Sequence, residues 1–334
     1  MRKSCWQRIR GDEMKVYITR KIPEPGIELL RSRYEVEVNP NDRPLTRQEL
    51  LEKVAEADGV VCLITDRIDA EVFEAAPRCR GFANYGVGFD NMDIAEATKR
   101  KIPLSNTPEV LNNATAEMAW ALLFAAGRRV VEADAVMRSG TWGGWGPLQF
   151  IGQEVTGATL GVVGAGRIGK AFAHKSKGFD MKVLYTDELR SEEMERDLGA
   201  ERVPLEELLA RSDFVSLHVP FMPATRHLID ERALRTMKRT AVLINTSRGP
   251  VVDEAALVRA LREGWIAAAG IDVYENEPKP ADGLAELKNV VMTPHIASAT
   301  TTSREGMALR AAENLIAMLE GTRPRDCLNP EIYL

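Results

Sequence analysis

Cysteine is scarce in this chain, with four residues among 334. The four are scattered, form no C-x-x-C pair and have no histidine at ligand spacing, at positions Cys5, Cys62, Cys79 and Cys327. The sequence therefore predicts neither a disulfide framework nor a metal site. Isolated thiols of this kind are typical of a reduced, cytoplasmic protein, and we expect that location.

Long apolar runs and an excess of basic charge are also missing. No run approaches the ~20 apolar residues that a membrane span needs, so we expect no membrane segment. The formal net charge is −5 and no basic patch is present, which argues against nucleic acid as a partner. Hydrophobic residues make up 45% and charged residues 28%, a composition typical of a globular protein long enough for two domains.

The first thirteen residues differ from the rest of the chain. They are basic and then acidic, and they lack the apolar centre of a signal peptide. We interpret 1–13 as a disordered extension, with the first strand starting shortly after Met14.

Short apolar strands alternate with helical patterns almost throughout, which is the signature of parallel α/β sheets. Eleven strands are too many for one small sheet of this kind, so the sequence predicts two. The predicted strands lie at 16–19, 36–38, 59–64, 81–83, 103–105, 159–163, 181–185, 214–219, 241–245, 268–271 and 290–293.

A glycine-rich run follows the strand at 159–163. Gly164, Gly166 and Gly169 fit the pattern G-x-G-x-x-G, and Asp187 ends the next apolar segment. The first glycine permits a tight turn, the second lets a pyrophosphate approach the backbone, and the third lets helix and strand pack closely. Strand, helix, second strand and acid in this order predict a dinucleotide site.

The acid also predicts which dinucleotide is preferred. Asp187 accepts hydrogen bonds from an adenosine ribose but repels a 2′-phosphate, so NAD(H) is favoured over NADP(H). Glu188 adds negative charge. Arg190 is the one nearby cation along the sequence, and it weakens the preference.

Chemistry-bearing residues follow several strands of the same predicted sheet. Arg248 comes after 241–245, Glu277 after 268–271 and His295 after 290–293. Because ligands bind beyond the carboxyl ends of parallel strands, we expect the three to gather beside the nicotinamide. Singly, each side chain has an ordinary structural explanation. His218, placed on the strand at 214–219, is a rival proton donor that lacks an acidic partner.

Together these three residue types suit reduction of a 2-keto acid. Hydride transfer to a carbonyl builds negative charge on oxygen, and histidine supplies a proton near neutral pH. A carboxylate beside the histidine favours its charged form and fixes its ring. An arginine grips a substrate carboxylate by two hydrogen bonds.

Two further segments have more than one explanation. Helical periodicity predicts one long helix over about 115–138, ended by Gly140 and followed by the aromatic loop Trp142 to Pro147. The pattern fits a buried helix of one subunit and a dimer surface equally well. The cluster 84–91 is equally a plain turn or a nest of main-chain N–H groups for a carboxylate.

Taken together, these motifs resemble the D-isomer-specific 2-hydroxyacid dehydrogenases, and among them the glyoxylate/hydroxypyruvate reductases. The resemblance covers the chain from Met14 onward and is carried by the segments 83–91, 113–117, 164–169, 245–249, 272–278 and 293–296. It implies two doubly wound parallel-sheet domains with the active site in the cleft between them. A Rossmann NAD-binding domain would span 112–299, and a flavodoxin-like substrate domain would span 14–111 and 300–334.

The resemblance also implies roles for individual residues. Arg248, Glu277 and His295 would be catalytic, with Glu277 pairing with His295 as the acid/base. The substrate would be bound by Leu63, Val87, Gly88, Arg248, His295 and, from a partner's loop in a homodimer, Trp145. The cofactor would be bound by Gly164, Ala165, Gly166, Arg167, Ile168, Gly169, Asp187, His218, Val219, Pro220, Thr225, Thr246, Ser247, Asp272, His295 and Ala297.

The expected function is NADH-dependent reduction of glyoxylate, hydroxypyruvate and similar 2-keto acids to D-2-hydroxy acids. Many glyoxylate reductases carry a neutral residue and then arginine where this chain has Asp187 and Glu188, and those favour NADP(H). Two alternatives remain open from the sequence. One is another substrate of the same family, such as D-lactate or 2-ketogluconate. The other is an NADH-sensing, corepressor-like binding protein without turnover.

Overall fold

The computed structural model describes residues 14–334, so the expectation for 1–13 lies outside the described residues. The chain divides into two compact units. One unit ends at Leu111 and resumes from Thr300 to Leu334, and the other runs from Asn112 to Ala299. We call them the discontinuous unit and the continuous unit. Within 14–334, no helix is long and apolar enough to cross a membrane.

The discontinuous unit is built on a five-stranded parallel sheet with the order β2-β1-β3-β4-β5. Its strands are β1 (Lys15–Ile18), β2 (Glu35–Val38), β3 (Gly59–Leu63), β4 (Phe82–Tyr85) and β5 (Leu104–Ser105). Its helices are α1 (Glu24–Arg31), α2 (Arg47–Val54), α3 (Ala70–Ala75), α4 (Ile94–Lys99) and α12 (Thr301–Leu319). This strand order is that of flavodoxin-like doubly wound sheets.

The last helix of the chain completes this unit. Thr300 caps α12 by accepting the N–H of Ser303, and the helix packs on α1 and on β3 and β4. Gly26 of α1 lies so close to Ala308 that a Cβ at Gly26 would be 2.5 Å from the Ala308 carbonyl oxygen. Leu315 covers Gly59 at the start of β3. Residues almost three hundred positions apart therefore build one core.

The continuous unit is built on a seven-stranded parallel sheet with the order β12-β11-β10-β9-β6-β7-β8. Its strands are β6 (Thr159–Val163), β7 (Lys182–Thr186), β8 (Glu201–Arg202), β9 (Phe214–Leu217), β10 (Val242–Asn245), β11 (Ala268–Ile271) and β12 (Val290–Met292). Its helices are α5 (Asn112–Gly127), α6 (Val130–Ser139), α7 (Arg167–His174), α8 (Glu192–Leu198), α9 (Leu205–Arg211), α10 (Glu231–Thr236) and α11 (Glu254–Glu263).

The strand order reverses direction between β6 and β9, as in the Rossmann fold. Two buried clusters, which include Phe172 and Phe214 in one and Leu217 and Leu243 in the other, pack within this unit. The prediction of two parallel α/β sheets is confirmed. The prediction of eleven strands missed the two-residue β8, which is too short to show a periodic pattern.

The prediction of one long helix over 115–138 is wrong, because the structure has two helices there. Arg129 takes a left-handed conformation with φ 54° between α5 and α6. The returning chain reaches the end of α5, where Gln153 donates its N–H to the carbonyl of Gly127 at 2.8 Å. Nine of the sixteen α5 residues are buried and none of the ten α6 residues is, so the two helices have different environments. Gly140 ends α6 with φ 68°, as predicted.

Candidate active site

The glycine loop joins β6 to α7 at the point where the strand order reverses. Gly164 has φ 96°, a conformation that side chains disfavour, and a Cβ there would lie 2.8 Å from the main chain of His218. A Cβ at Gly169 would collide with the carbonyl oxygen of Gly164. Gly166 is the N-cap of α7, and a Cβ there would meet no atom within 4 Å. The first and third glycines are thus needed for packing, and the second leaves open space at a helix N-terminus, where phosphate groups bind.

Asp187 follows β7 and lies against this loop. One carboxylate oxygen accepts the N–H of Ala165 at 2.6 Å, and the other accepts the N–H of Leu189 at 3.0 Å. Both bonds fix the carboxylate beside the glycine turn. Each carboxylate oxygen still has acceptor capacity for a ribose hydroxyl.

Two arginines lie on the segments around Asp187, and only Arg190 is apparent from the sequence. Arg190 is held by the Glu195 carboxylate at 2.6 Å. Arg202, on β8, donates to the carbonyl oxygens of Asp187 at 2.7 Å and Glu188 at 2.9 Å. Strand β7 pairs with β8, and this pairing brings Arg202 to Asp187. Because the two residues are not neighbours in the sequence, the contact is not visible from the sequence alone. The expectation that Arg190 is the one nearby cation is therefore wrong.

His218 lies directly after β9, which ends at Leu217, and not on the strand as predicted. Its Nε2 is 2.9 Å from the Ser216 hydroxyl, and its ring packs on Phe172 with centroids 4.9 Å apart. Burial lowers the pKa of His218 from 6.5 to about 3. The imidazole is neutral at ordinary pH, so His218 is not a source of protons for a reaction near neutrality. Its main chain lies against Gly164.

His295 and Glu277 lie beyond β12 and β11 and contact each other. The His295 Nδ1 is 2.9 Å from a Glu277 carboxylate oxygen, and the other oxygen accepts the N–H of Tyr274 at 3.1 Å. Burial opposes ionisation of Glu277, yet the hydrogen bond and charge of His295, with the N–H of Tyr274 and the charge of Arg248, hold the pKa of this carboxyl below its usual range. Glu277 is therefore a carboxylate at neutral pH, and it fixes the ring so that Nε2 is left for a substrate.

A buried carboxylate supports the turn that carries His295. His295 has φ 54°, and its main-chain N–H donates to the Asp272 carbonyl at 2.9 Å. The Asp272 side chain accepts the N–H groups of Ile296 and Ala297, each at 2.8 Å, and the Thr293 hydroxyl at 2.6 Å. Asp272 thus accepts four hydrogen bonds that hold this left-handed turn. Asp272 and Ala297 support the position of His295.

Arg248 follows β10, the strand next to β11. Its guanidinium donates to the Ser247 carbonyl at 2.9 Å, and its own carbonyl accepts the Asn245 amide at 3.0 Å. Gly249 lies against the main chain of Tyr274, where a Cβ would collide with the carbonyl. This close approach joins the turn that carries Arg248 to the loop that carries Glu277. The structure thus brings Arg248, Glu277 and His295 to adjacent strand ends.

The family model "D-isomer specific 2-hydroxyacid dehydrogenase, NAD binding domain" matches residues 120–297. The chain belongs to this family.

Individual relatives in the family cover nearly the whole chain. A glyoxylate reductase of Thermococcus onnurineus is 54% identical over 322 residues, which is 95% of this chain and 96% of the relative. The TT0316 protein of Thermus thermophilus is 44% identical, with a TM-score of 0.89 over 94% of this chain and 100% of that one. An NADPH-dependent glyoxylate/hydroxypyruvate reductase of Sinorhizobium meliloti, in complex with NADP and malonate, is 30% identical, with a TM-score of 0.83 over 95% and 97%.

The remaining residues expected at the dehydrogenase cofactor site also follow strand ends of the continuous unit. Val219 and Pro220 come after β9, and the Thr225 hydroxyl donates to the Pro220 carbonyl at 2.7 Å. Thr246 and Ser247 come after β10. The Thr246 hydroxyl oxygen is buried and has no hydrogen-bond partner among residues 14–334. An unsatisfied buried hydroxyl at this edge and the open space at Gly166 both fit a bound dinucleotide.

The expected substrate residues of the discontinuous unit surround the turn after β4. Val87 and Gly88 are half-exposed, and no hydrogen bond from their N–H groups is found in the described part of the chain. Leu63 ends β3, where its N–H donates to Asp66 at 2.8 Å and its carbonyl accepts the Asn91 amide at 3.1 Å. The turn therefore presents unused main-chain donors, as a carboxylate nest requires.

Trp145 and the surface around it are strongly exposed. The Trp145 side chain is 83% exposed, and other exposed apolar residues lie before and after it: Val130, Val131, Met137, Trp142, Leu148 and Ile151. We call this set the α6 apolar surface. Among residues 14–334, one half-exposed side-chain group has metal-binding spacing, His174 with Glu193 and Asp197, and Lys170 already pairs with Glu193 at 2.9 Å.

Proposed function

We propose that the protein reduces glyoxylate, hydroxypyruvate and similar small 2-keto acids to D-2-hydroxy acids with NADH. One observation carries the proposal: the contact between His295 and the Glu277 carboxylate, on the strand ends beside Arg248 and the glycine loop. The relatives named glyoxylate reductase support the choice of substrate. Together they favour a catalyst over a protein that only senses NADH.

His295, Glu277 and Arg248 each have a separate role in the reaction. Bound NADH supplies the hydride that reduces the substrate carbonyl. His295 donates a proton from Nε2 to the carbonyl oxygen as negative charge develops there. Glu277 remains ionised, accepts the Nδ1–H bond and stabilises the imidazolium before transfer. Arg248 donates to the substrate's oxygens. In the discontinuous unit, the N–H groups of Val87 and Gly88 are donors suited to a carboxylate.

The preference for NADH over NADPH is part of the proposal. Asp187 is fixed against the glycine turn by two main-chain bonds, where its charge favours ribose hydroxyls and repels a 2′-phosphate. Arg190 is engaged by Glu195 and Arg202 by main-chain carbonyls, so each cation already has an acceptor. A relative from Sinorhizobium meliloti is NADPH-dependent, so the ratio of kcat/KM for NADH to that for NADPH tests this preference directly.

We also propose that two copies associate through the α6 apolar surface. None of the α6 residues is buried, and six of the seven apolar side chains of that surface are at least half exposed. Clustered exposure of this kind is typical of an interface. The partner's Trp145 would then join the substrate site. The three described cysteines are free, which supports the cytoplasm as the location.

The direct test follows oxidation of NADH by absorbance, with a panel of 2-keto acids ranked by kcat/KM. We expect glyoxylate and hydroxypyruvate to rank highest. His295→Asn should lower kcat/KM about 10²- to 10⁴-fold, the range for a lost general acid. His174→Asn, at a half-exposed histidine on α7, is the matched control and should leave the rate within about twofold.

Two outcomes would contradict the proposal. Absence of turnover with every 2-keto acid, combined with tight NADH binding, would indicate a binding protein. A His295→Asn variant as active as its parent would remove the proton donor from the mechanism.

A further inference from the structure

The turn at 86–88 has every carbonyl oxygen occupied. The carbonyl of Gly86 accepts the main-chain N–H of Thr107 at 3.0 Å. The carbonyl of Val87 accepts the Asn106 side-chain amide at 2.7 Å, and that of Gly88 accepts the Asn84 side-chain amide at 2.7 Å. Three consecutive carbonyls are thus bound from the same unit.

Because the peptide group is planar, a hydrogen bond that holds a carbonyl also fixes the direction of the N–H in the same peptide. In a trans peptide, the carbonyl of one residue and the N–H of the next point in opposite directions. Holding the Val87 carbonyl through Asn106 therefore fixes the direction of the Gly88 N–H. Holding the Gly86 carbonyl through Thr107 fixes that of the Val87 N–H. These two N–H groups have no acceptor among residues 14–334.

The side-chain amide of Asn84 and the main chain of Asn106 are themselves held. Asn84 is fully buried on β4 and Asn106 is 7% exposed. The Asn91 amide donates to the Asn84 side-chain oxygen at 3.3 Å, which sets the orientation of that amide. Asn314 of α12 donates to the main-chain carbonyl of Asn106 at 3.1 Å. Buried amides held in this way rarely change orientation, because an unmade bond leaves a buried polar group unsatisfied.

We propose that Asn106 is a positioning residue that aims the Gly88 N–H at the substrate carboxylate, and that Asn84, which holds the Gly88 carbonyl, fixes the following peptide at the end of the same turn. This inference rests on the proposed function, since it assigns the turn to a carboxylate-bearing substrate. Neither side chain touches the substrate. Asn106 holds the carbonyl of Val87 and Asn84 holds that of Gly88, so the turn is ordered before the anion binds.

The test compares Asn106→Ala and Asn106→Ser with the parent, and Asn84→Ser adds a second site. We expect KM for glyoxylate to rise about 5- to 10-fold, the effect of about one hydrogen bond, while KM for NADH changes less than twofold. Oxamate is a carboxylate-bearing mimic of a 2-keto acid, and its binding to the NADH complex should weaken by the same factor in calorimetry.

Asn329→Ala is the matched control. Asn329 is a fully buried asparagine of the same unit, and it bonds the main chain of Ile102 and Leu104 but no carbonyl of the 86–88 turn. We expect this variant to lower the melting temperature and to leave KM for glyoxylate unchanged. A general loss of stability would instead raise KM in Asn329→Ala and Asn106→Ala alike, and that result would overturn the inference.

The outcomes separate this inference from the proposed function. A parent that reduces glyoxylate, together with folded Asn106 variants whose KM and oxamate affinity are unchanged, would refute the positioning role alone. A parent that neither reduces 2-keto acids nor binds oxamate would refute both. If Asn84→Ser fails to fold, the two Asn106 variants decide, because Asn106 controls the Gly88 N–H by itself.

Discussion

Replacement of Glu277 by glutamine tests the contact on which the mechanism depends. Glutamine keeps the shape of the side chain and an oxygen that accepts the Nδ1–H of His295, but it removes the charge. The carboxylate is 2.9 Å from Nδ1. We therefore expect the imidazole to keep its place while the charged form of His295 loses its partner.

The magnitude follows from the hydrogen bond and its exposure. A bond to a charged group contributes about 1.5–3 kcal/mol. The side chains of His295 and Glu277 are 28% and 37% exposed, so water screens the charge and about 1–2 kcal/mol is a better figure. This corresponds to about a 5- to 30-fold loss in kcat/KM for glyoxylate reduction near neutral pH.

The pH dependence provides the sharper measurement. The pKa of Glu277 is lowered in the folded protein, so the carboxylate is present above the ordinary carboxyl pKa of 4.5 and is lost only as the pH falls through the lowered value. Across the working range the parent thus keeps its charge, and Glu277→Gln lacks it at every pH. Reduction needs protonated His295, so the variant should lose more activity at about pH 8 than at about pH 6.

The assay is a pH profile of kcat/KM with saturating NADH. Glu286→Gln, an exposed carboxylate of the same unit, is the control and should reproduce the parent profile. A Glu277→Gln variant whose loss is equal at every pH would refute the electrostatic reasoning. That result would leave Glu277 a packing role only.

Three further predictions concern the cofactor, His218 and the α6 apolar surface. Asp187→Ser should raise kcat/KM for NADPH relative to NADH by about 10-fold, the effect of about 1.4 kcal/mol, and an unchanged ratio would show that the carboxylate does not contact the ribose. Burial lowers the pKa of His218 to about 3, so the unfolded chain binds more protons and stability should decline as the pH falls from about 6.5 toward 3. Thermal unfolding of His218→Gln should show a weaker decline, and equal slopes would contradict the buried, neutral state. Leu148→Asp, at a side chain 81% exposed, should yield monomers in sedimentation experiments while the parent sediments as a dimer, and identical sedimentation would place any interface elsewhere.

Local patterns were sufficient to predict much of the fold. Each buried parallel strand is a short apolar run, so its position is visible without knowledge of its neighbours. The glycine turn is equally local, because positive φ at Gly164 and close packing at Gly169 restrict the residue type directly. The positions of Arg248, Glu277 and His295 followed from one rule, that parallel strands end at the same edge of a sheet.

Features that depend on contacts distant in sequence were missed. Helical periodicity continues across Arg129, and only the contact of Gln153 with Gly127 reveals why the helix ends. Arg202 reaches Asp187 through strand pairing, and Asn106 acts on a turn nineteen residues away in sequence. The neutral state of His218 depends on its burial, which sequence spacing does not contain.

The discontinuity of the smaller unit has a consequence for its synthesis. Strands β1 to β5 leave the ribosome first, yet α12, which covers β3 and β4, follows only after about 190 further residues. At ordinary translation speeds this interval lasts roughly 10–40 s. During that time the apolar face around Gly59 and Gly81, later covered by Leu315 and Met318, lacks its own helix. The nascent chain therefore has an aggregation-prone surface that chaperones are suited to protect.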